Sequence, residues 1–188
     1  METHEFVLLV LQAVGGEIRG KTKLQKTVYS LGTLTERVED LGYRAHFCGP
    51  YSDEVASAVT LLKAIGVVDQ NVVGGRSLDE AGFEVRRYDL RLNDQGRNLA
   101  EAKAKRYPDV WKRLETATRT FQQAGDLDYM LLSIAAKTYF MLGQKRGPAT
   151  EGELASLAPR FGWKVAPREV HKAAQYLNRL GLVQVAAE

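Results

Sequence analysis

The chain has a single cysteine, Cys48, so no disulfide can form within it. That excludes a disulfide-stapled scaffold and fits a reducing cytoplasm, the expected location. The histidines, His4, His46 and His171, are scattered, with no cysteine or carboxylate at metal spacing, so no metal site is expected. Residues 6–14 are apolar apart from Gln12, but the run is too short to cross a bilayer and lacks a positive leader. Neither a membrane segment nor a signal peptide is expected. Charge is nearly balanced: 26 Lys and Arg against 23 Asp and Glu give a formal net charge of +3. That is compatible with nucleic acid without demanding it. No carboxylate pair or serine triad emerges, and no base can be argued for Cys48. No catalytic residue, cofactor or enzymatic activity is therefore expected.

What is present is ordinary for a globular chain. The 188 residues are 45% hydrophobic and 26% charged. That suffices for one substantial domain or two small ones with an unstapled core.

Apolar spacing gives the organisation. Residues 3–14 read as a helix or a buried strand. Leu24, Val28, Leu31, Leu34, Val38 and Leu41 make one helical face, with Gly32 a possible break and Gly42 the stop. His46 to Ser52 reads as a short strand and turn. Ser52 is a good N-cap for a third helix carrying Val55, Val59, Leu62 and Ile65. Val67 to Val73 and residues 83–92 read as strands flanking a polar loop, with a bulge at Arg86-Arg87. Asn93 or Asp94 opens a long polar helix, interrupted at Pro108.

A second unit follows. Leu127, Met130, Leu131, Ile134, Ala135, Thr138 and Met141 form an apolar helix. Thr150 to Glu153 is a capping box, Pro167 starts a last helix, and Leu182 to Val185 reads as a strand. The expected fold is mainly α with a small antiparallel β wing. It comprises a winged-helix domain at 1–92, a connecting helix at 93–124 and a winged-helix-like unit at 125–188.

Gly15 to Thr22 matches G-x-x-x-x-G-K-[ST], the phosphate-cradling loop of nucleotide-binding proteins. Such a loop needs a buried strand before it, a helix after it and a parallel sheet around it. The strand and helix could be supplied here, but no alternation of strands and helices builds the sheet.

The run from Gly16 through Lys23-Leu24-Gln25-Lys26 to Tyr29, followed by Gly49-Pro50-Tyr51-Ser52, resembles the YwgA-like prokaryotic proteins. It is distantly similar to the Panacea domain of antitoxins and proteolytic adaptors. Tyr88 to Gly96 also resembles the wing end of winged-helix regulators, with Asn93 in place of the usual threonine. The resemblance covers the first half well and implies a winged-helix fold. It does not imply one function.

Arg19, Lys21, Lys23 and Lys26 form a basic stretch without an acid, and Lys23, Lys26, Ser30 and Arg37 read as the face away from the core. Such a stripe could hold DNA phosphates, and a solvated helix face is the plain alternative. The third helix starts with Asp53 and Glu54, which suits a protein partner better than a groove of DNA. The last helix presents Arg168, Lys172, Gln175 and Arg179 outward and Val170, Ala174 and Leu177 inward. Arg76 on the wing is a further candidate contact with DNA. The leading expectation is a DNA-binding regulator of transcription, dimeric through the long helix and contacting double-stranded DNA. A protein-interaction module of antitoxin or adaptor type is the alternative, and nucleotide binding through Gly15 to Thr22 a third.

Overall fold

The apolar run near the start folds as helix α1 (Thr3–Ala13), not as a strand. Every residue from Glu5 to Leu11 is buried. A helix apolar all round belongs at the centre of a core, and α1 packs against helices on several sides. Phe6, Leu8, Leu9 and Leu11 are each 0–1% exposed, and each contributes roughly 1.5–3 kcal/mol by leaving water. The structure, a computed structural model, describes residues 1–74, 86–125, 129–145 and 147–185.

After α1 come strand β1 (Glu17–Arg19), helix α2 (Lys21–Leu34), a 3-10 turn (Val38–Leu41), helix α3 (Asp53–Ala64), and strands β2 (Val68–Val73) and β3 (Arg87–Leu92). The sheet is antiparallel with β3 in the middle. Ile18 and Gln70 both sit opposite Leu90, and Val68 sits opposite Leu92, so Ile18, Val68, Leu90 and Leu92 cover the core. The expected wing beyond Gly74, with Arg76 and the start of its second strand, lies outside the described residues.

Two local expectations need correction. Gly32 does not break α2; the helix runs through it and turns at Thr35-Glu36. A Cβ at Gly32 would lie 2.9 Å from Leu41 Cδ1, so glycine lets the 3-10 turn fold back onto the helix. The strand expected at His46 to Ser52 reduces to one bridge between Arg44 and Tyr51.

Asn93 caps helix α4 (Asp94–Arg106) by accepting the Gly96 N–H at 3.0 Å, and Pro108 starts helix α5 (Pro108–Gln123). Both pack onto α1, and Ala100, Leu114 and Ala117 join the first core. The second unit has helices α6 (Tyr129–Lys145), α7 (Glu151–Leu157) and α8 (Pro167–Arg179). Thr150 and Glu153 form the expected capping box on α7. No strand forms at 182–185, because no neighbouring strand is there to pair with it among the described residues. Met130 and Ile65, both expected inside, are 52% and 51% exposed. Ile65 lies past the last turn of α3, where the helical phase no longer points it inward. Leu34 and Phe121 pack against both the first core and the second unit, and α6 lies along α2.

One charge is built into the first core. The carboxylate of Glu5 accepts from Lys103 Nζ, from Tyr107 Oη at 2.9 Å and from the Glu2 N–H at 3.1 Å. Burial alone would raise its pKa, but these donors outweigh it and bring the value from 4.5 to about 2. A folded pKa below the unfolded one stabilises the protein above about pH 4.5, and that stabilisation is lost as pH falls towards 2. Glu5→Gln is expected to cost about 1–3 kcal/mol at neutral pH and to flatten the acid limb of stability. Urea titrations across that range check this; parallel curves for the two proteins would contradict it.

Candidate functional site

Helix α2 is polar in sequence yet buried from Leu24 to Thr33. The first core lies on one side of it and α6 on another. Two of its buried polar side chains, Gln25 and Lys26, bond to one stretch of chain, residues 46–52. Gln25 Nε2 donates to Ser52 O at 2.9 Å, and Gln25 Oε1 accepts from the Ser52 N–H at 3.1 Å. The side-chain amide thus pairs with both polar groups of one residue, as a neighbouring strand would. Lys26 Nζ donates to Pro50 O at 2.5 Å.

The second unit holds the same stretch from its other side. Ser133 Oγ donates to Cys48 O at 2.9 Å, and Trp163 Nε1 donates to His46 O at 2.6 Å. Every second carbonyl from His46 to Ser52 therefore accepts from a side chain of α2 or of the second unit. Gly49 sits at the tightest point. Its φ is +103°, and a Cβ there would lie 3.2 Å from Lys137 Cγ and 3.3 Å from Lys26 Nζ. Both facts favour glycine. Ser52 also accepts the Val55 N–H on its Oγ at 2.9 Å and so starts α3.

Lys26 is 1% exposed and meets no carboxylate among the described residues. Burial, opposed by Cys48 and reinforced by Lys137, brings its pKa from 10.5 down to about 8. This corrects the reading of Lys23, Lys26, Ser30 and Arg37 as an outward stripe. Lys26 and Ser30 are buried. Arg37 lies beyond the helix and binds Met1 O at 3.3 Å and Asp40 at 3.0 Å. Hydrophobic spacing assigned α2 one inward face; α6 supplies a second wall, which the local pattern does not encode.

The other candidate residues are dispersed. Arg19 is exposed and pairs with Glu17 at 3.0 Å. Lys21 Nζ lies 4.0 Å from the centre of the Tyr88 ring, and Lys23 is half-buried. Gly15 to Thr22 does not form a phosphate-wrapping loop. A helix precedes it, its middle is β1 in an antiparallel sheet, and the Gly16 and Gly20 N–H groups donate to Leu11 O and Tyr88 O. The structural support for nucleotide binding there is lost.

Helix α8 keeps its expected outer face. Arg168, Lys172, Gln175 and Arg179 are all exposed. Ala173, rather than Ala174, joins Val170, Tyr176 and Leu177 in the core. Gln175 Nε2 donates to His171 Nε2 at 2.8 Å, and His171 Nδ1 donates to Glu151 Oε1 at 2.5 Å. Glu169 turns back to accept the Ala166 N–H at 2.7 Å, so the one acid of α8 is used at its start.

Among the described residues no three His, Cys, Asp or Glu side chains gather as metal ligands would, and no helix is long and apolar enough to cross a membrane. Compared with family models, with curated proteins and with solved structures, the chain gives no match. The YwgA-like and Panacea resemblances therefore rest on the residues that suggested them: Lys23, Leu24, Gln25, Lys26 and Tyr29 on α2, and Gly49, Pro50, Tyr51 and Ser52. The structure brings these two segments into contact.

Gln25→Leu strands two buried backbone groups of Ser52 and is expected to cost about 2–4 kcal/mol. Lys26→Met strands only Pro50 O and removes an uncompensated buried charge, so about 1 kcal/mol is expected. Because the folded pKa of Lys26 lies below 10.5, the unfolded chain binds more protons between about pH 8 and 10. Wild-type stability should therefore rise relative to Lys26→Met over that range. Denaturant titrations of the three proteins test both statements; a reversed order of cost, or a constant gap with pH, would contradict them.

Proposed function

We propose that this chain is a DNA-binding protein of winged-helix type, a regulator without catalytic activity. The order α1-β1-α2-α3-β2-β3 with β3 central in the sheet supports the winged-helix reading. The observation that carries DNA binding is the outer face of α8: Arg168, Lys172, Gln175 and Arg179 are exposed along one side, and the only acid of the helix is turned to its cap. Two arginines and a lysine suit phosphates or guanine edges, and a glutamine suits adenine. Helix α3 is the weaker candidate for a groove. It opens with Asp53 and Glu54 and exposes Leu61.

That same face favours a second reading, a protein-interaction module. Leu61 and Ile65 at the end of α3, and Val72 and Val73 on edge strand β2, are exposed apolar residues on adjoining elements. Exposed apolar residues along an edge strand are a common way to meet another chain.

Fluorescence anisotropy with a mixed-sequence duplex across a salt series separates the two. Affinity should fall steeply with salt, and the Lys172→Glu, Arg179→Glu double variant should bind at least about tenfold more weakly, with the salt slope reduced by about 2. Unchanged affinity in the variant would rule out α8 as the contact. Absence of wild-type binding at low salt would leave the protein-interaction reading in its place.

A further inference from the structure

A cavity of about 230 Å³ opens between the start of α2, the middle of α3 and the sheet. Lys21, Lys26 and Lys63 line it together with His46, and no carboxylate does. Each of the three ammonium groups has a neutral partner. Lys26 donates to Pro50 O, Lys63 donates to Gln70 Oε1 at 2.8 Å, and Lys21 stands over the Tyr88 ring. Three positive charges thus surround one small space with no acid to balance them among its lining residues. One of the three is almost wholly buried, where an unpaired charge is most costly. It uses one N–H on Pro50, which leaves two donors.

Such an arrangement is unfavourable for the empty protein and favourable for an anion. Like charges converge, and burial holds Lys26 close to losing its proton. Two further features fit a phosphate in particular. Thr22 brings a hydroxyl group to the lining, whereas that of Thr60 donates to Ala56 O at 3.1 Å. Gly20 caps α2 without a side-chain acceptor, and the first turn of α2 carries no acid; the Asp89 carboxylate, on the Gly20 N–H, offsets only part of the positive end of this helix. The remaining wall includes Leu24, Val59 and Leu90, which suits a few carbon atoms better than a bare ion.

We propose that this cavity binds a small phosphate monoester, with Lys21, Lys26 and Lys63 around the phosphate and the apolar wall against its organic part. The site is separate from the outer face of α8 and does not depend on the DNA reading. It touches α2, α3 and β2 at once, so a bound ligand would tie the clasped helix to the edge of the sheet.

The test uses the full chain with inorganic phosphate and glycerol 3-phosphate, at ionic strength matched with chloride. Calorimetry should show saturable binding with a Kd of about 1 mM or tighter, tighter for the ester than for phosphate. Lys21→Gln and Lys63→Gln, both changes at the cavity mouth, should each weaken it about tenfold, while Lys172→Gln on α8 should not. Near pH 8 binding should take up protons, visible as a dependence of the heat on the ionisation enthalpy of the buffer, because an anion favours charged Lys26. Binding that Lys172→Gln weakens equally, or that takes up no protons, would overturn the proposal. So would variants that weaken duplex DNA while neither phosphate probe binds the wild type, since the lysines would then be backbone contacts.

Discussion

The pairing of the Gln25 side chain with the backbone of Ser52 is the constraint on which the rest of the molecule rests. A single amide satisfies both polar groups of a fully buried residue. Ser52 in turn starts α3, and α3 leads directly into β2. Two residues earlier in this clasp, Pro50 takes the ammonium of Lys26. The stretch from His46 to Ser52 turns back on itself, with the Gly49 N–H on His46 O at 2.8 Å, and the carbonyls of Cys48 and His46 accept from Ser133 and Trp163 of the second unit. The same seven-residue stretch fixes the angle between α2 and α3 and docks the two halves. A buried backbone of this kind must find partners for its polar groups, and here side chains from two different parts of the chain provide them.

The clasp also explains where positive charge sits. Burying Lys26 without a carboxylate is tolerated because the carbonyl of Pro50 accepts from it, while burial and the nearby Lys137 both work against its charge. The consequence is a cluster of unbalanced charge at the start of α2, far more confined than the open basic face of α8. The two basic regions therefore serve different proposals: a confined one for a small anion, an exposed one for a duplex. The exposed basic residues of the sheet contribute less, since Arg19 and Arg87 pair with acids two residues away on their own strands.

Much of the local structure was legible in the sequence because it is written in short-range chemistry. Asn93, Thr150 with Glu153, Pro108 and Pro167 start helices by capping or by a fixed φ, and each does so here. The outer face of α8 followed from its spacing. What was not legible depends on distant packing. Nothing near Lys26 or Ser30 signals that α6 will cover them, and the polar character of α2 suggested solvent instead. The run Phe6 to Val14 suited helix and strand alike until its neighbours were known. Leu182 to Val185 has the composition of a strand but no partner strand among the described residues. The one sequence signal for the clasp was the coupling of Lys-Leu-Gln-Lys with Gly-Pro-Tyr-Ser in the family resemblance, and its meaning needed the distance between them.

The most direct test is hydrogen exchange at the Ser52 amide, measured residue by residue under native conditions. If the Gln25 pairing anchors the fold, this amide should exchange only through global unfolding, with an opening free energy equal to that of the core of α1. Its protection should collapse in Gln25→Leu beyond the loss of global stability. Exchange of Ser52 as fast as that of exposed Phe47, which precedes it in the same stretch, would show that the stretch opens on its own and that the clasp is a consequence of the fold rather than its support.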